Sequence, residues 1–255
     1  MLFRKNTVIQ FESVFKNFLF NQDKIFSIQD FFIYLFQFSK IWKRRYVQVL
    51  EDVSFHIQKG DFVGIMGPNG SGKSTILKLV CQILKPNGGH VLVSEKVAPL
   101  LELAAGFHSE LTGHENIFLY GSILGMTDIE IKRKWSSIVA FADLGEFLYT
   151  RTKFYSDGML VRLGFAIVIH SEFDILVADE VLAVGDASFQ QKCLSRINEI
   201  QRENKTILFV SHDAELVYRI CNKIIHVLDK KVIVTDNSKI QELWIKNTEE
   251  LPLAF

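Results

Sequence analysis

No Cys-x-x-Cys pair occurs in the chain, whose three cysteines are Cys81, Cys193 and Cys221. Their wide spacing and apolar neighbours leave zinc binding and thiol redox chemistry without a ligand set. They fit a reducing cytosolic setting in which the thiols are small core residues. An excess of one charge sign is also lacking. Lys+Arg and Asp+Glu number 29 each, so there is no general basic footprint and no nucleic acid partner is expected. Met1 to Gln10 holds neither a continuous apolar stretch nor a small-residue cleavage site, which argues against a secretory signal. The longest suspect run, Phe31 to Ser39 between Asp30 and Lys40, would reach roughly 14 Å as a helix, against a hydrocarbon core of about 30 Å. It is too short to cross a bilayer. Internal repeats and low-complexity tracts are absent too. What is present is an apolar fraction of 48% in 255 residues, enough for one large α/β domain with or without a small subdomain.

The most informative stretch is Gly67-Pro68-Asn69-Gly70-Ser71-Gly72-Lys73-Ser74-Thr75. An apolar run, Phe62 to Met66, precedes it and a helical pattern, Ile76 to Leu84, follows. Strand, glycine-rich loop and helix form the context in which GxxxxGK[ST] binds phosphate. Glycines let the backbone turn several N–H groups inward, and the helix N-terminus adds partial positive charge. Lys73 is expected to meet the β- and γ-phosphates and the Ser74 hydroxyl to ligate Mg²⁺. A nucleoside triphosphate is therefore the expected ligand.

Further along, Ile175 to Glu180 is an apolar strand ending in two acids. Asp179 is the expected Mg²⁺ holder, and Glu180 is placed to orient or deprotonate the attacking water. His212 ends the next strand, where an imidazole could bond a γ-phosphate oxygen or that water. Tyr155-Ser156-Asp157-Gly158-Met159 opens another helical run. A hydroxyl and a bare backbone at a helix start make a second anion site. Two phosphate sites with one phosphate loop imply that two chains close around each nucleotide.

The rest of the chain supplies the frame. Thr7 to Val14 reads as a strand with Phe18 just beyond it, and 19–45 as an insertion before β-pattern resumes at Val47–Leu50 and Val53–Ile57. Within the insertion Phe31, Leu35, Phe38 and Trp42 share one helical face, with Lys40, Lys43, Arg44 and Arg45 at its end. Such an amphipathic element suits a membrane surface or a membrane partner as well as its own domain. A short strand is expected at His90 to Val93, and about 98–165 reads as mainly helical. Thr127 and Glu130 form a capping box for a helix that places Ile131, Trp135 and Ile138 on one face. Strands at Ile175–Ala178, Thr206–Val210 and Ile224–Leu228 complete a mostly parallel, helix-covered sheet.

These motifs together resemble an ATP-binding cassette (ABC) transporter ATPase subunit across nearly the whole chain. Gly67 to Thr75 is similar to Walker A, Ile175 to Glu180 to Walker B, and Tyr155 to Met159 to the signature motif. Ala183-Val184-Gly185-Asp186 is similar to the D-loop and His212 to the switch histidine. Leu100 to Phe107, Glu110 to Asn116, Arg162 to Ala166 and Ala183 to Cys193 resemble the branch that exports capsule, O-antigen or teichoic acid. The resemblance implies an α/β P-loop NTPase fold with a mostly parallel sheet, an antiparallel β part and a helical subdomain. It makes 1–255 a single nucleotide-binding domain without a C-terminal carbohydrate-binding domain.

It also implies Mg²⁺-dependent ATP hydrolysis that powers export of a polysaccharide or lipid-linked glycan. The chain would be peripheral on the cytoplasmic face of the cell membrane. A polytopic permease subunit and a second copy in a head-to-tail dimer would be its partners, the polysaccharide only an indirect one. Gly67, Asn69, Gly70, Ser71, Gly72, Lys73, Ser74 and Thr75 would hold ATP in one copy, with Ser156 and Gly158 in trans and Asp186 alongside. Glu180 and His212 would be catalytic, and Ser74 and Asp179 would hold the metal. Phe18 is the first choice for stacking on adenine, Tyr46 the second. Glu102 stands where the superfamily usually has the Gln that couples to the membrane partner, and Asp157 and Met159 stand where Gly and Gln are commoner. The alternative is a soluble ABC-type ATPase acting on nucleic acid or ribosomes, but long coiled coils and paired cassettes are absent. A guanine-reading switch is disfavoured, since neither Asn204-Lys205 nor Asn222-Lys223 continues to an Asp.

Overall fold

Two sheets organise the chain in a computed structural model that describes residues 6–20, 45–101, 106–179, 186–211 and 214–236. The first sheet is antiparallel, in the order β2 (Arg45–Gln58), β1 (Thr7–Phe20), β4 (Gly88–Val93). The second has six strands in the order β5 (Val97–Leu100), β6 (Ile175–Asp179), β7 (Thr206–Val210), β3 (Phe62–Met66), β8 (Lys223–Leu228) and β9 (Lys231–Asp236). Its first five strands are parallel and β9 is antiparallel to β8.

Helices join these strands: α1 (Lys73–Val80), α2 (Gly113–Ile123), α3 (Asp128–Ala142), α4 (Asp157–His170), α5 (Ala187–Arg202) and α6 (Ala214–Ile220). The period-2 alternation of the central strands divides their side chains between two cores. Phe62, Leu176, Ala178, Ile207, Phe209 and Ile224 face the core that contains α2, α3 and α4. Val63, Ile65, Val177, Leu208, Val210 and Ile225 face the core shared with α1 and the antiparallel sheet. Burial on both faces is why these strands read as continuous apolar runs.

Several expected boundaries move. β1 continues from Val14 to Phe20, and β2 is one strand rather than two pieces. Positive φ at Ser13 (44°) and Asp52 (49°) marks bulges that shift the register and break the alternation a sequence reader follows. Phe20 pairs with Arg45 and Leu19 with Tyr46, so the insertion narrows from 19–45 to 21–44, which lies outside the described residues. The first helix stops at Val80, not Leu84. Gln82 turns left-handed (φ 57°) and the Ile83 N–H donates back to the Lys78 carbonyl at 3.0 Å, a stop that leaves Ile83 exposed. β4 begins at Gly88, two residues early. The helical stretch assigned from 98 opens on the edge strand β5, where an edge position tolerates Pro99.

The start of α3 follows expectation. Thr127 caps α3 with Glu130 in a reciprocal capping box, and Ile131 and Ile138 are fully buried with Trp135 packed beside them. All three cysteines are free, Cys193 and Cys221 buried. Burial raises the Cys81 and Cys193 thiols to about 12, which suits packing rather than reactivity. No helix among the described residues is long and apolar enough to cross a membrane.

Candidate functional site

Gly67 follows β3 directly, at the edge of the sheet where the parallel strands end. Its φ of 151° and its surroundings require glycine: a Cβ there would lie 2.3 Å from the Val227 carbonyl oxygen and 2.9 Å from Ser71 Oγ. Gly72, the residue before α1, is left-handed (φ 109°), and a Cβ on it would lie 2.8 Å from Val49 Cγ1 and 3.2 Å from Leu50 Cδ2. With no side chain capping α1, its first N–H groups are left for a ligand. Lys73 is 6% exposed and curls over the loop. Its ammonium donates to the Gly67 carbonyl at 2.7 Å and the Pro68 carbonyl at 3.1 Å.

The donor set fits a polyphosphate. Ser71 Oγ is buried without a hydrogen-bond partner among the described residues, as expected of a hydroxyl waiting for a ligand oxygen. Asn69, Gly70 and Ser74 are exposed and Thr75 half-buried. Asp179 pairs in register with Val210, and Val210 with Ile65. The carboxylate-bearing residue therefore sits at the same strand-end edge as the loop, two strands away, where Ser74 and Asp179 could share a divalent cation. The residues next to it are not described: Glu180, Ala183, Val184, Gly185, His212 and Glu102 all lie outside the described residues, as does most of the insertion.

The two aromatic candidates are separated by the pairing of β1 with β2. Phe18 lies opposite Val47, and Leu19 opposite Tyr46. Directly opposed residues share a face, so Phe18 and Tyr46 point to opposite sides of the ribbon. Lys16 is opposite Leu50, and its ammonium lies 5.0 Å from the Phe18 ring centroid. Phe18 is 38% exposed and Tyr46 59% exposed, on opposite sides of the ribbon.

Ser156 is the N-cap of α4, its Oγ accepting from the Met159 N–H at 3.3 Å. The space before Gly158 is open, since a Cβ there would meet only Ser156 Oγ at 3.9 Å. Behind this cradle the Tyr155 hydroxyl donates to the Phe147 carbonyl at 2.6 Å, and burial raises its phenol above the ordinary value, keeping the donor protonated. α4 belongs to one core and α1 to the other. The helices behind the two anion cradles of one chain therefore pack against opposite faces of the sheet.

Asp186 has a local role that the sequence did not reveal. Its Oδ1 caps α5, accepting from the Phe189 N–H at 2.9 Å and the Ser188 hydroxyl at 2.7 Å. Those two bonds, the backbone one first, hold its carboxyl below the usual range. Oδ2 lies 3.8 Å from Arg162 Nη1. Arg162 also reaches Asp143 Oδ2 at 3.4 Å and sits 5.2 Å from the Phe189 ring centroid. Asn116 is a second missed residue. Fully buried, it bonds the His108, Leu111 and Thr112 backbones and Thr152 Oγ1, tying the segment before α2 to the approach to Tyr155. Its neighbour Thr112 forms a capping box with Glu115, readable from the same T-x-x-E spacing as Thr127 and Glu130.

Comparison with known proteins places this geometry. The family model described as ABC transporter matches residues 50–183. The O-antigen export system ATP-binding protein RfbB of Klebsiella pneumoniae is 42% identical over 220 residues, covering 86% of this chain and 89% of that one. The teichoic acids export ATP-binding protein TagH of Listeria monocytogenes is 41% identical over 221 residues, covering 87% of this chain and 64% of that one. Among solved structures, a dimeric ATP-binding cassette bound to ADP and Pi has a similar fold, with a TM-score of 0.70 at 21% identity over 90% of this chain and 98% of that one. An ATP-binding subunit of an ABC transporter gives a TM-score of 0.73 at 19% identity over 95% of this chain and all of that one. The chain belongs to the ABC transporter family, as one of its ATP-binding cassettes.

Proposed function

We propose that the chain is the ATP-hydrolysing subunit of a transporter that exports a polysaccharide or lipid-linked glycan across the cell membrane. The observation that supports the ATPase reading is the arrangement at the strand-end edge. A left-handed glycine loop, the Lys73 ammonium, the unpartnered Ser71 hydroxyl and the Asp179 register position all meet there. The export reading rests on relatives named for O-antigen and teichoic acid export at 41–42% identity.

In this reading the N–H groups of 67–75 and Lys73 bind the phosphates, and Phe18 holds the adenine. Ser74 and Asp179 hold Mg²⁺, which when bound neutralises charge on the β- and γ-phosphates. Glu180 takes the proton of the attacking water and His212 orients it against the γ-phosphate. Ser156 and Gly158 act on the nucleotide of a second copy. The packing of the two cradle helices against opposite faces of the sheet supports that division. Asp186 acts as a positioning residue through its cap on α5. A polytopic permease is the membrane partner, and the chain sits against the cytoplasmic face of the membrane. The insertion at 21–44 is the candidate contact with that partner.

Glu180→Gln tests the assignment. Turnover should fall by about 10²–10⁴ while ATP still binds and holds two copies together in size-exclusion chromatography. Turnover close to that of the unsubstituted chain would remove Glu180 from the catalytic role.

A further inference from the structure

The nucleotide edge leaves unexplained a cavity of about 480 Å³ at the opposite edge, where β5, β6 and β7 begin. Lys96, Lys134, His170, Phe173, Arg196 and Lys205 line it. The volume is in the range of small-molecule sites. Four cations converge there from four different segments: the turn before β5, α3, α5 and the turn before β7. Convergence from separate segments is what distinguishes a built site from the solvated face of one helix.

The acids nearby only partly balance them. Asp174 accepts from the Lys96 backbone N–H at 3.4 Å, and both Asp174 and Glu172 line the cavity. Arg196 meets Glu199 at 2.9 Å and Glu203 at 3.2 Å, both through Nη1, which leaves the other side of its planar fork to the cavity. Lys205 meets Glu203 at 3.2 Å and lies 4.4 Å from the Phe173 ring centroid. Lys96 and Lys134 have no side-chain ion pair among the described residues.

His170 also lines the cavity. Its Nδ1 lies 2.7 Å from the Ala166 carbonyl, a contact that requires the proton on Nδ1. Burial first, and then the charges of Arg196 and Lys134, depress its basicity, and no carboxylate is among the groups that act on it. Four cationic side chains against the carboxylates of Glu172 and Asp174 leave the lining with a positive balance.

We propose that this cavity binds a small phosphate-bearing anion, a pyrophosphate or phosphomonoester, independently of the nucleotide at the loop. Lys134 and Lys96 supply the charges not already paired, and Arg196 offers its remaining guanidinium donors. An anion bound there would also raise the His170 pKa, since it replaces a repulsive surrounding with an attractive one.

The test uses the full chain with the phosphate loop saturated by a non-hydrolysable ATP analogue, and inorganic pyrophosphate as the probe. Calorimetric titration should show a further binding event, and the His170 ring titration followed by NMR should move to higher pH. Lys134→Ala and Lys96→Ala, at a half-buried and an exposed residue, should each weaken the event about fivefold or more, with melting temperatures close to that of the unsubstituted chain. The double variant should abolish the His170 shift. Absence of binding above the saturated loop would overturn the site. So would binding that persists unchanged in both variants, or binding that leaves the His170 titration where it was. The last two results would mean diffuse counterion attraction rather than an occupied cavity.

Discussion

Removal of the Lys73 side chain separates what it does for the loop from what it does for the nucleotide. In the free chain its ammonium satisfies the Gly67 and Pro68 carbonyls at 2.7 and 3.1 Å while the residue is 94% covered. Lys73→Ala leaves both carbonyls without that donor. Pro68 is exposed and Gly67 half-buried, so water replaces much of the loss, and the cost falls near the low end of the 1–3 kcal/mol expected for an unsatisfied buried acceptor. For a chain of this size about 1 kcal/mol lowers the melting temperature by roughly 2–4 °C. Binding loses more. The ammonium must leave the carbonyls to reach the phosphates, so the net value is that of a charge-assisted bond made in exchange for a weaker one, about 1.5–3 kcal/mol. That corresponds to a loss of roughly tenfold to 150-fold in affinity. Titration of a fluorescent ATP analogue, paired with thermal melts in its absence, measures both. A melting temperature lowered as expected with unchanged affinity would refute the phosphate role and leave Lys73 as a loop clamp.

Three other outcomes follow from the same geometry. Tyr155→Phe removes the donor to the Phe147 carbonyl and should cost about 0.5–1.5 kcal/mol of stability. If the cradle acts in trans, this variant should depress the ATPase rate of the paired state while monomer affinity for ATP stays within twofold by titration. Deletion of residues 28–42 should spare ATP binding and abolish sedimentation with membranes that carry the permease; retained sedimentation would clear the insertion of a docking role. Stability should decline on both sides of neutrality. His170 and His226 are depressed by burial, so the unfolded chain binds more protons below its histidine pKa and stability falls as pH drops through that window. Above about 9 the unfolded thiols ionise while Cys81 and Cys193 hold their protons to about 12, so stability falls again. Denaturation midpoints across pH 5–10.5 check both slopes, and Cys193→Ala should flatten part of the alkaline one.

The phosphate loop was legible because its chemistry forces identity at each position: Gly72 has neighbours under 3 Å from any Cβ, and Lys73 must reach. The α3 start was legible because a capping box is local, Thr127 and Glu130 being three residues apart. β1 and β2 were misjudged because the bulges at Ser13 and Asp52 reverse which face each residue takes, and a two-residue period cannot be followed through a reversal. β5 is four residues long and contains Pro99, so nothing in its own stretch announces a strand; it exists because β6 pairs with it. The Arg162 contacts are invisible for another reason. Asp143 and Asp186 lie 19 residues before it and 24 after, and only the packing of α3, α4 and α5 brings the three together. The Asp186 cap, by contrast, had a local signal in its place just before a helix start.

Arg162 has a mechanical meaning beyond its ion pairs. It lies six residues along α4 from Ser156, about 9 Å at the helical rise, and its Nε is buried without a partner among the described residues. One helix thus carries the outward-facing cradle at its tip and, on its shaft, a cation gripping the end of α3 and the start of α5. A hydrogen-bonded helix resists compression over so short a span. Any displacement of the tip would therefore be passed by Arg162 to Asp143 and Asp186.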